Sequence, residues 1–557
     1  MTTLKFGWLV LLLQLGFQHL HAQDKLLTIL QDELNREYKQ LKAADEKLYY
    51  MSYRVDDIKT YRIQSAFGVV QTIDSSHDRI FTPSLRIGDY QLDNTHGSMY
   101  GQMPANLHIN DNPELIKLAI WKSTDASYKT AVQMYEQILT SKKVKVAEED
   151  TAADFSTTKK VIYYDPPLNY KSLTPDINLL SSQLNAYTAI LKQNPDLLGG
   201  YGNIEYKIVR KYFIDTEGSS IIENTTGTWQ AVVGVTKAND GMDLPLYQMY
   251  YSYIPQNLPT KDSVEKDIRE MSEKLSRLRT SSIADPFVGP AILSGRAAGV
   301  FFHEIFGHRL EAKRMKSDYD GQTFKTKIGS QVLPSFLSIS MNPTVKNLNH
   351  TQLNGFYRYD DEGVEAEKVD VVVDGVLKNF LMTRTPINGV SGSNGHARTS
   401  PGGLPESRQS NLIVNAKQGK TDAELRQMLI AEAIKQRKEY GYLFQNVEGG
   451  FTSTGRTSPN AFNVMPIEVY KIFTDGRQDE LVRGVDLIGT PLSMFNRIVA
   501  SGNHVETFNG MCGAGSGWVP VSASSPAIFV DVIETQKKSK SKERVPILLR
   551  PDLDKTK

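Results

Sequence analysis

Four residues carry most of the chemistry this sequence offers: His303, Glu304, His308 and Cys512. The first three lie in His303-Glu304-Ile305-Phe306-Gly307-His308. A His-Glu pair followed by a second His is the pattern in which two imidazoles hold zinc and the carboxylate takes a proton from water. The usual spacing places both imidazoles on one helical face; here the second His comes one residue later. Five steps along a regular α-helix rotate a side chain by about 500°, which leaves the two rings ~140° apart. The spacing therefore predicts a local distortion near Gly307, of the one-residue π-bulge kind. Glycine there would ease the backbone. Two His and a Glu on an apolar helix also suit ordinary core positions with satisfied hydrogen bonds, and the motif alone does not separate the two readings.

Cys512 is the only cysteine of the 557 residues, so no intramolecular disulfide is available to it. It lies in Asn509-Gly510-Met511-Cys512-Gly513-Ala514-Gly515, which reads as a flexible glycine-rich loop. Two imidazoles and a thiolate make a three-ligand zinc site with the fourth position open, the arrangement that catalysis requires. A small buried hydrophobe is the competing fate of a free cysteine. His396 and His504 are candidate ligands or substrate contacts, though core or surface positions suit them better. Arg398 and Arg483 suit salt bridges better than a substrate carboxylate, and Trp518 reads as packing.

These residues need elements to hold them. Residues 25–48 read as an amphipathic helix, and residues 49–53, 62–72 and 80–87 as strands, with Pro83 allowing an edge strand at best. Asn112-Pro113 predicts a helix start, Asn as cap and Pro in the first turn, with the helix running to about residue 139. The polar stretch 142–159 reads as a linker. A helix over 178–193 and strands over 206–215 and 228–235 follow. Val264, Ile268, Met271, Leu275 and Leu278 recur at helical steps and predict one apolar face packed on a sheet. Beyond residue 285 glycines become frequent and hairpins appear, at Asp374-Gly375 and Asp475-Gly476, dipeptides suited to turns that need positive φ. The fold class is α+β: a mixed α/β N-terminal region followed by a β-rich C-terminal domain. The expected division is a leader over 1–22, an N-terminal domain over 23–150, a central domain over 151–284 and a C-terminal domain over 285–557.

Lys5, the apolar run over residues 6–17 and Ala22 read as a cleavable secretory signal, too short for a comfortable membrane span of about 20 residues. This predicts an exported chain, periplasmic or extracellular, with no span after cleavage. Lys+Arg is 64 against 63 Asp+Glu, a balance that gives no reason to expect nucleic acid as a partner. The basic run over 537–544 reads as a solvated tail.

The C-terminal half resembles the TldD/TldE (PmbA) family of metallopeptidases. The resemblance rests on residues 299–311, on Tyr359-Asp360-Asp361-Glu362-Gly363 with Asp374-Gly375-Val376-Leu377, and on Ser393-Asn394-Gly395-His396-Ala397-Arg398. It extends to Val447-Glu448-Gly449-Gly450, to Val482-Arg483-Gly484-Val485-Asp486-Leu487-Ile488-Gly489, and to Met511-Cys512-Gly513 with Val519-Pro520-Val521. It covers the last ~270 residues in block order and is looser over 210–240. It departs at Ala312-Lys313, where many relatives carry Gly-Asp, and in the leader. The resemblance implies one zinc per chain held by His303, His308 and Cys512, with Glu304 as catalytic acid/base. It also implies peptide substrates, held by strand addition, and a dimer, homomeric or with a TldE-like paralogue. The alternative is a non-catalytic subunit or peptide-binding protein that keeps zinc as structural glue. Against it stands the intact Glu304, for which a structural site has no use.

Overall fold

The computed structural model describes residues 24–97, 101–144, 150–316, 320, 322–455, 462–489, 491–538, 546, 548 and 550–553. The expected leader and nearly all of the basic tail lie outside them. Two mixed α+β layers are built around two large sheets. No described helix is long and apolar enough to cross a membrane.

The first sheet has seven strands among the described residues. Its nucleus is one long hairpin, Leu48–Ala66 with Val69–Ile87, where the sequence predicts three separate strands. Phe67 and Gly68 turn it, both at positive φ (46° and 86°), as a two-residue hairpin loop of right-handed twist requires. Pro83 pairs with Tyr53 on one side, and the short strand on the other side reaches only Ile80 and Phe81, so proline sits where no ladder donor is needed. One hairpin face, including Met51, Tyr53, Val55, Phe81 and Leu85, is buried under the helices Lys25–Ala44 and Pro113–Val144. Asp24 caps the first at Leu27 N (3.0 Å), and that helix stops at Ala44. Asn112 caps the second through Glu114 N and Leu115 N, as its sequence predicts.

The hairpin continues into Gly199–Asp215, Ser220–Lys237 and Asp243–Ser252. A single sheet therefore runs across the expected boundary at residue 150. The apolar stripe of the Lys261–Thr280 helix packs on this sheet, with Val264, Ile268 and Leu275 fully buried. The stretch read as a linker is partly an anchor: Phe155 is buried between the guanidinium groups of Arg86 and Arg384, 3.6 and 3.9 Å from its ring centre. Both cations are ion-paired, Arg86 with Asp93 and Arg384 with Glu217.

The second sheet has twelve strands among the described residues and is mixed. Gly517–Lys537 lies at its centre. It pairs antiparallel with Phe287–Leu293 and Ile498–Ala514 and parallel with Asn411–Ala416. Phe287–Leu293 in turn pairs parallel with Tyr440–Thr452. The Asp374-Gly375 turn forms as expected, both residues at positive φ (50° and 78°). At Asp475-Gly476 the strands are farther apart in sequence than a tight hairpin: Phe462–Phe473 is followed by Glu480–Arg483.

A candidate metal centre at the end of a buried helix

The motif sits on the helix Gly295–Ile305, capped by Ser294 at Ala297 N (3.2 Å). Two glycines let this helix lie against the strand Gly517–Lys537. A Cβ on Gly299 would stand 2.7 Å from Ala523 O, and one on Gly295 would stand 2.5 Å from Ser525 O. That strand pairs with Ile498–Ala514, which carries Cys512 opposite Val519. Cys512 is thus a strand residue and not part of a flexible loop, and its direction is fixed by the ladder. The close helix–strand contact brings residues 303 and 512 to one place.

The expected π-bulge is not what joins the two histidines. The α-helix ends at Ile305, Phe306 leaves it at φ −108°, ψ −54°, and Gly307–Leu310 forms a 3₁₀ turn. A helix end buried among apolar residues leaves carbonyls without water. Here side chains supply the donors: Arg309 Nη1 to Glu304 O (3.1 Å) and Ile305 O (2.9 Å), and Gln409 Nε2 to His303 O (3.1 Å).

The result is a compact cluster. His303, His308 and Cys512 each offer a ligand atom, all within 4.8 Å of one another, and all three residues are buried. Cys512 Sγ lies 3.5 Å from His308 Nε2, and the two imidazole ring centres are 5.0 Å apart. His308 Nδ1–H donates to Glu311 Oε2 (3.1 Å), which fixes the tautomer that leaves Nε2 facing the cluster. Glu311 is held in turn by Arg314 Nε (2.7 Å) and lies 3.6 Å from Arg408 Nε. Glu304 Oε2 is 3.9 Å from His308 Nε2, and Gly450 makes room for it, since a Cβ there would stand 2.6 Å from Glu304 Cγ.

Without a metal the cluster favours a thiolate beside a protonated imidazole, whose proton a bound ion would displace. Burial pushes the Cys512 thiol up, but the His308 and His303 rings beside it hold it well below the usual thiol range. Burial lowers the affinity of His308 for a proton, yet Cys512 and Glu311 raise its pKa to about 10. Burial pushes the Glu304 carboxyl up, against the two imidazoles. The donor set fits zinc: soft thiolate, two imidazoles and a carboxylate behind one of them. One further observation fits: His303 Nδ1 is buried without a hydrogen-bond partner, a costly state that a metal ion relieves.

Other singled-out residues fall elsewhere. His396 is fully buried beside Asn394 O (3.0 Å) and Ser410 Oγ (3.3 Å), and His504 is exposed, so neither joins the cluster. Arg483 pairs with Asp240 and Arg398 donates to Gln409 O, both structural roles. Trp518 is 65% exposed on the outer side of the Cys512 hairpin, contrary to a packing role. At the departure Ala312-Lys313, Lys313 N donates to Ser407 Oγ and its ammonium pairs with Glu406. Sequence reasoning missed Arg408 and Gln409. Their signal was a run of polar residues, Arg408-Gln409-Ser410-Asn411, directly ahead of an apolar strand; all four are fully buried.

A cavity of about 610 Å³ lies between the polar face of the first hairpin (Ser52, Arg54, Ser84, Arg86) and the segment after the motif. His303, His308 and Cys512 are not among its walls, but Glu311 is.

Comparison with known proteins places this cluster in the context of metallopeptidases. Residues 288–537 match the PmbA/TldA metallopeptidase C-terminal domain. The chain is 29% identical over 316 residues to a metalloprotease of Archaeoglobus fulgidus, a span of 57% of this chain and 68% of that one. It is 25% identical over 366 residues to the zinc metalloprotease TldD homolog of Saccharolobus solfataricus, 64% and 74% of the two chains. Its fold matches the crystal structure of TldE from Thermococcus kodakarensis with a TM-score of 0.58, at 14% identity over 89% of this chain and 99% of that one. Over residues 288–537 the chain is thus similar to the TldD/PmbA metallopeptidases.

Proposed function

We propose that the protein is a zinc-dependent peptidase acting on small or unfolded peptides, with one zinc per chain held by His303, His308 and Cys512. The observation that carries this reading is the three-ligand cluster with Glu304 Oε2 at its edge, 3.9 Å from His308 Nε2. Three protein donors leave a coordination position for substrate or water. Zinc bound there supplies Lewis acidity, polarising a peptide carbonyl and making an attacking water more acidic.

The chain's own residues do the rest. Glu304 accepts the proton of the attacking water at its carboxylate and passes it to the leaving nitrogen. Burial holds Glu304 above the usual carboxylate range, which brings its proton affinity nearer to that needed at neutral pH. Glu311 keeps His308 in the ligating tautomer. Export rests on the apolar run over residues 6–17, and partnership with a TldE-type paralogue or a second copy rests on the similarity to TldD/PmbA proteins and to the TldE fold.

The test is zinc content together with hydrolysis of a mixed peptide library, on signal-free protein, alone and with its paralogue. One zinc per chain and chelator-sensitive cleavage support the reading. Bound zinc without cleavage under either condition overturns the enzyme assignment in favour of a binding subunit.

A further inference from the structure

We infer that Gln409 is a positioning residue of the metal centre: its side-chain amide takes up the His303 carbonyl where the motif helix breaks off after Ile305, and so allows the five-residue spacing to His308 to close around one ion. The inference rests on the metal site proposed above and adds a residue from outside the His-Glu motif.

A continuous helix cannot serve this motif, because His303 and His308 would stand ~140° apart. The helix must stop between them, and stopping it costs carbonyl partners in a place without water. Gln409 meets that need at the first ligand itself. Its Nε2 donates to His303 O at 3.1 Å, where a continuing helix would have offered a backbone N–H four residues on. The other end of the amide explains Gly307. A Cβ on Gly307 would come within 1.8 Å of Gln409 Oε1, so the amide occupies the volume that any side chain at 307 would need. Gly307 does not have a left-handed φ. Glycine is required there for space, not for backbone freedom.

Gln409 is also poorly explained as a packing residue. It is fully buried, and its Oε1 has no hydrogen-bond partner, an unfavourable state for an amide oxygen away from water. An apolar side chain would avoid that cost if the residue merely filled space. Its neighbour in sequence points the same way. Arg408 Nη2 donates to Cys512 O (2.6 Å), and its Nη1 donates to Ser516 Oγ and Gly517 O in the same hairpin. Two consecutive side chains thus grip the backbones of two ligands, Gln409 at His303 and Arg408 at Cys512. Both stand just before the strand Asn411–Ala416, which is paired into the central sheet. The dipeptide fixes the distance between ligand-bearing segments that share no local sequence.

The experiment compares zinc affinity, by competition with a chromophoric chelator, and the visible spectrum of the cobalt-loaded protein. The proteins are wild type, Gln409→Leu, Gly307→Ala and the double variant Gly307→Ala/Gln409→Ala. The thermal midpoint of each metal-free protein is measured alongside. Gln409→Leu keeps the volume and removes the donor; it should weaken zinc binding about 10- to 100-fold, the usual effect of losing a residue that supports a ligand, and shift the cobalt bands. Gly307→Ala should weaken it at least as much. The double variant should bind more tightly than Gly307→Ala, because the collision is relieved, and more weakly than wild type. Wild-type affinity and an unchanged cobalt spectrum in Gln409→Leu overturn the positioning role, even if its thermal midpoint falls. Equal affinity of Gly307→Ala and the double variant overturns the coupling of the two positions. Failure of the wild type to bind zinc instead overturns the metal-site reading itself.

Discussion

The seven-stranded sheet is made mostly of strands adjacent in the chain, with one long-range join between Leu48–Ala66 and Gly199–Asp215, whereas the twelve-stranded sheet depends on such joins throughout. In the first, a hairpin turned by two residues forms one half, the strands Gly199–Asp215, Ser220–Lys237 and Asp243–Ser252 pair antiparallel in succession, and only the short Ile162–Tyr164 strand pairs parallel. In the second, Phe287 lies against Thr535, 248 residues on, and parallel pairings enter at Asn411 and Tyr442. Local antiparallel pairing is easy to form and easy to read. Long-range pairing closes large loops, and here it brings residue 303 to residue 512. The candidate chemistry sits in the sheet whose topology is least local. The first sheet contributes a cavity wall, and Glu311 and Arg314 line the cavity while supporting His308 in the candidate site.

Breaking the non-local side at its ligand should have the largest effect. Cys512→Ala is expected to lower zinc affinity by more than the ~100-fold upper range for losing a supporting residue, read as zinc per chain after dialysis. Unchanged stoichiometry would remove Cys512 from the ligand set. Glu304→Gln should retain zinc and lose about 10²–10⁴-fold in turnover, the usual share of general acid–base catalysis. A variant with full peptidase activity would exclude Glu304 from proton transfer.

A change confined to the first sheet sharpens the comparison. Leu184 is fully buried on the Ile177–Gln193 helix against Gly202. Leu184→Ala should cost about 2–5 kcal/mol of stability in urea unfolding and leave zinc affinity of the folded protein unaltered. If zinc affinity falls with it, the two sheets behave as one unit and the contrast drawn above is wrong.

Smaller effects concern charge. His396 is fully buried, and burial foremost lowers its pKa to about 4. The unfolded chain therefore binds the extra proton first as pH falls. The stability from keeping His396 neutral is intact above about 6.5 and is lost progressively towards 4, amounting to about 2 kcal/mol by pH 5. Urea midpoints at pH 7 and pH 5 should differ more in wild type than in His396→Asn; identical differences would show that His396 does not control this loss. Smallest of all, the half-exposed Arg426–Asp479 pair (2.6 Å) should contribute no more than about 1 kcal/mol. Asp479→Asn is expected to shift the midpoint marginally, and a loss of several kcal/mol would mean the pair does more than its exposure implies.

The helix of Val264, Ile268, Met271, Leu275 and Leu278 was legible because period and burial coincide. So were the Asn112 cap and the Asp374-Gly375 turn, each set by residues adjacent in the chain. Less legible was the 48–87 hairpin: its charged and hydroxyl residues interrupt the apolar pattern, yet many are buried facing the cavity. Phe155 was hidden in a polar stretch because the groups that bury it, Arg86 and Arg384, come from distant segments.

For the candidate site, His303, His308 and Cys512 could be picked out from residue type and spacing as candidate donors, with Glu304 beside them, and so could the constraint that a regular helix cannot hold both imidazoles on one ion. How the chain escapes that constraint was decided by tertiary structure. The helix ends where side chains from elsewhere replace its missing donors, and the strand ladder, not a flexible loop, aims Cys512. The physical reason is that a buried helix end needs partners for its carbonyls. Which residues supply them depends on a sheet whose strands meet only after the whole chain has folded.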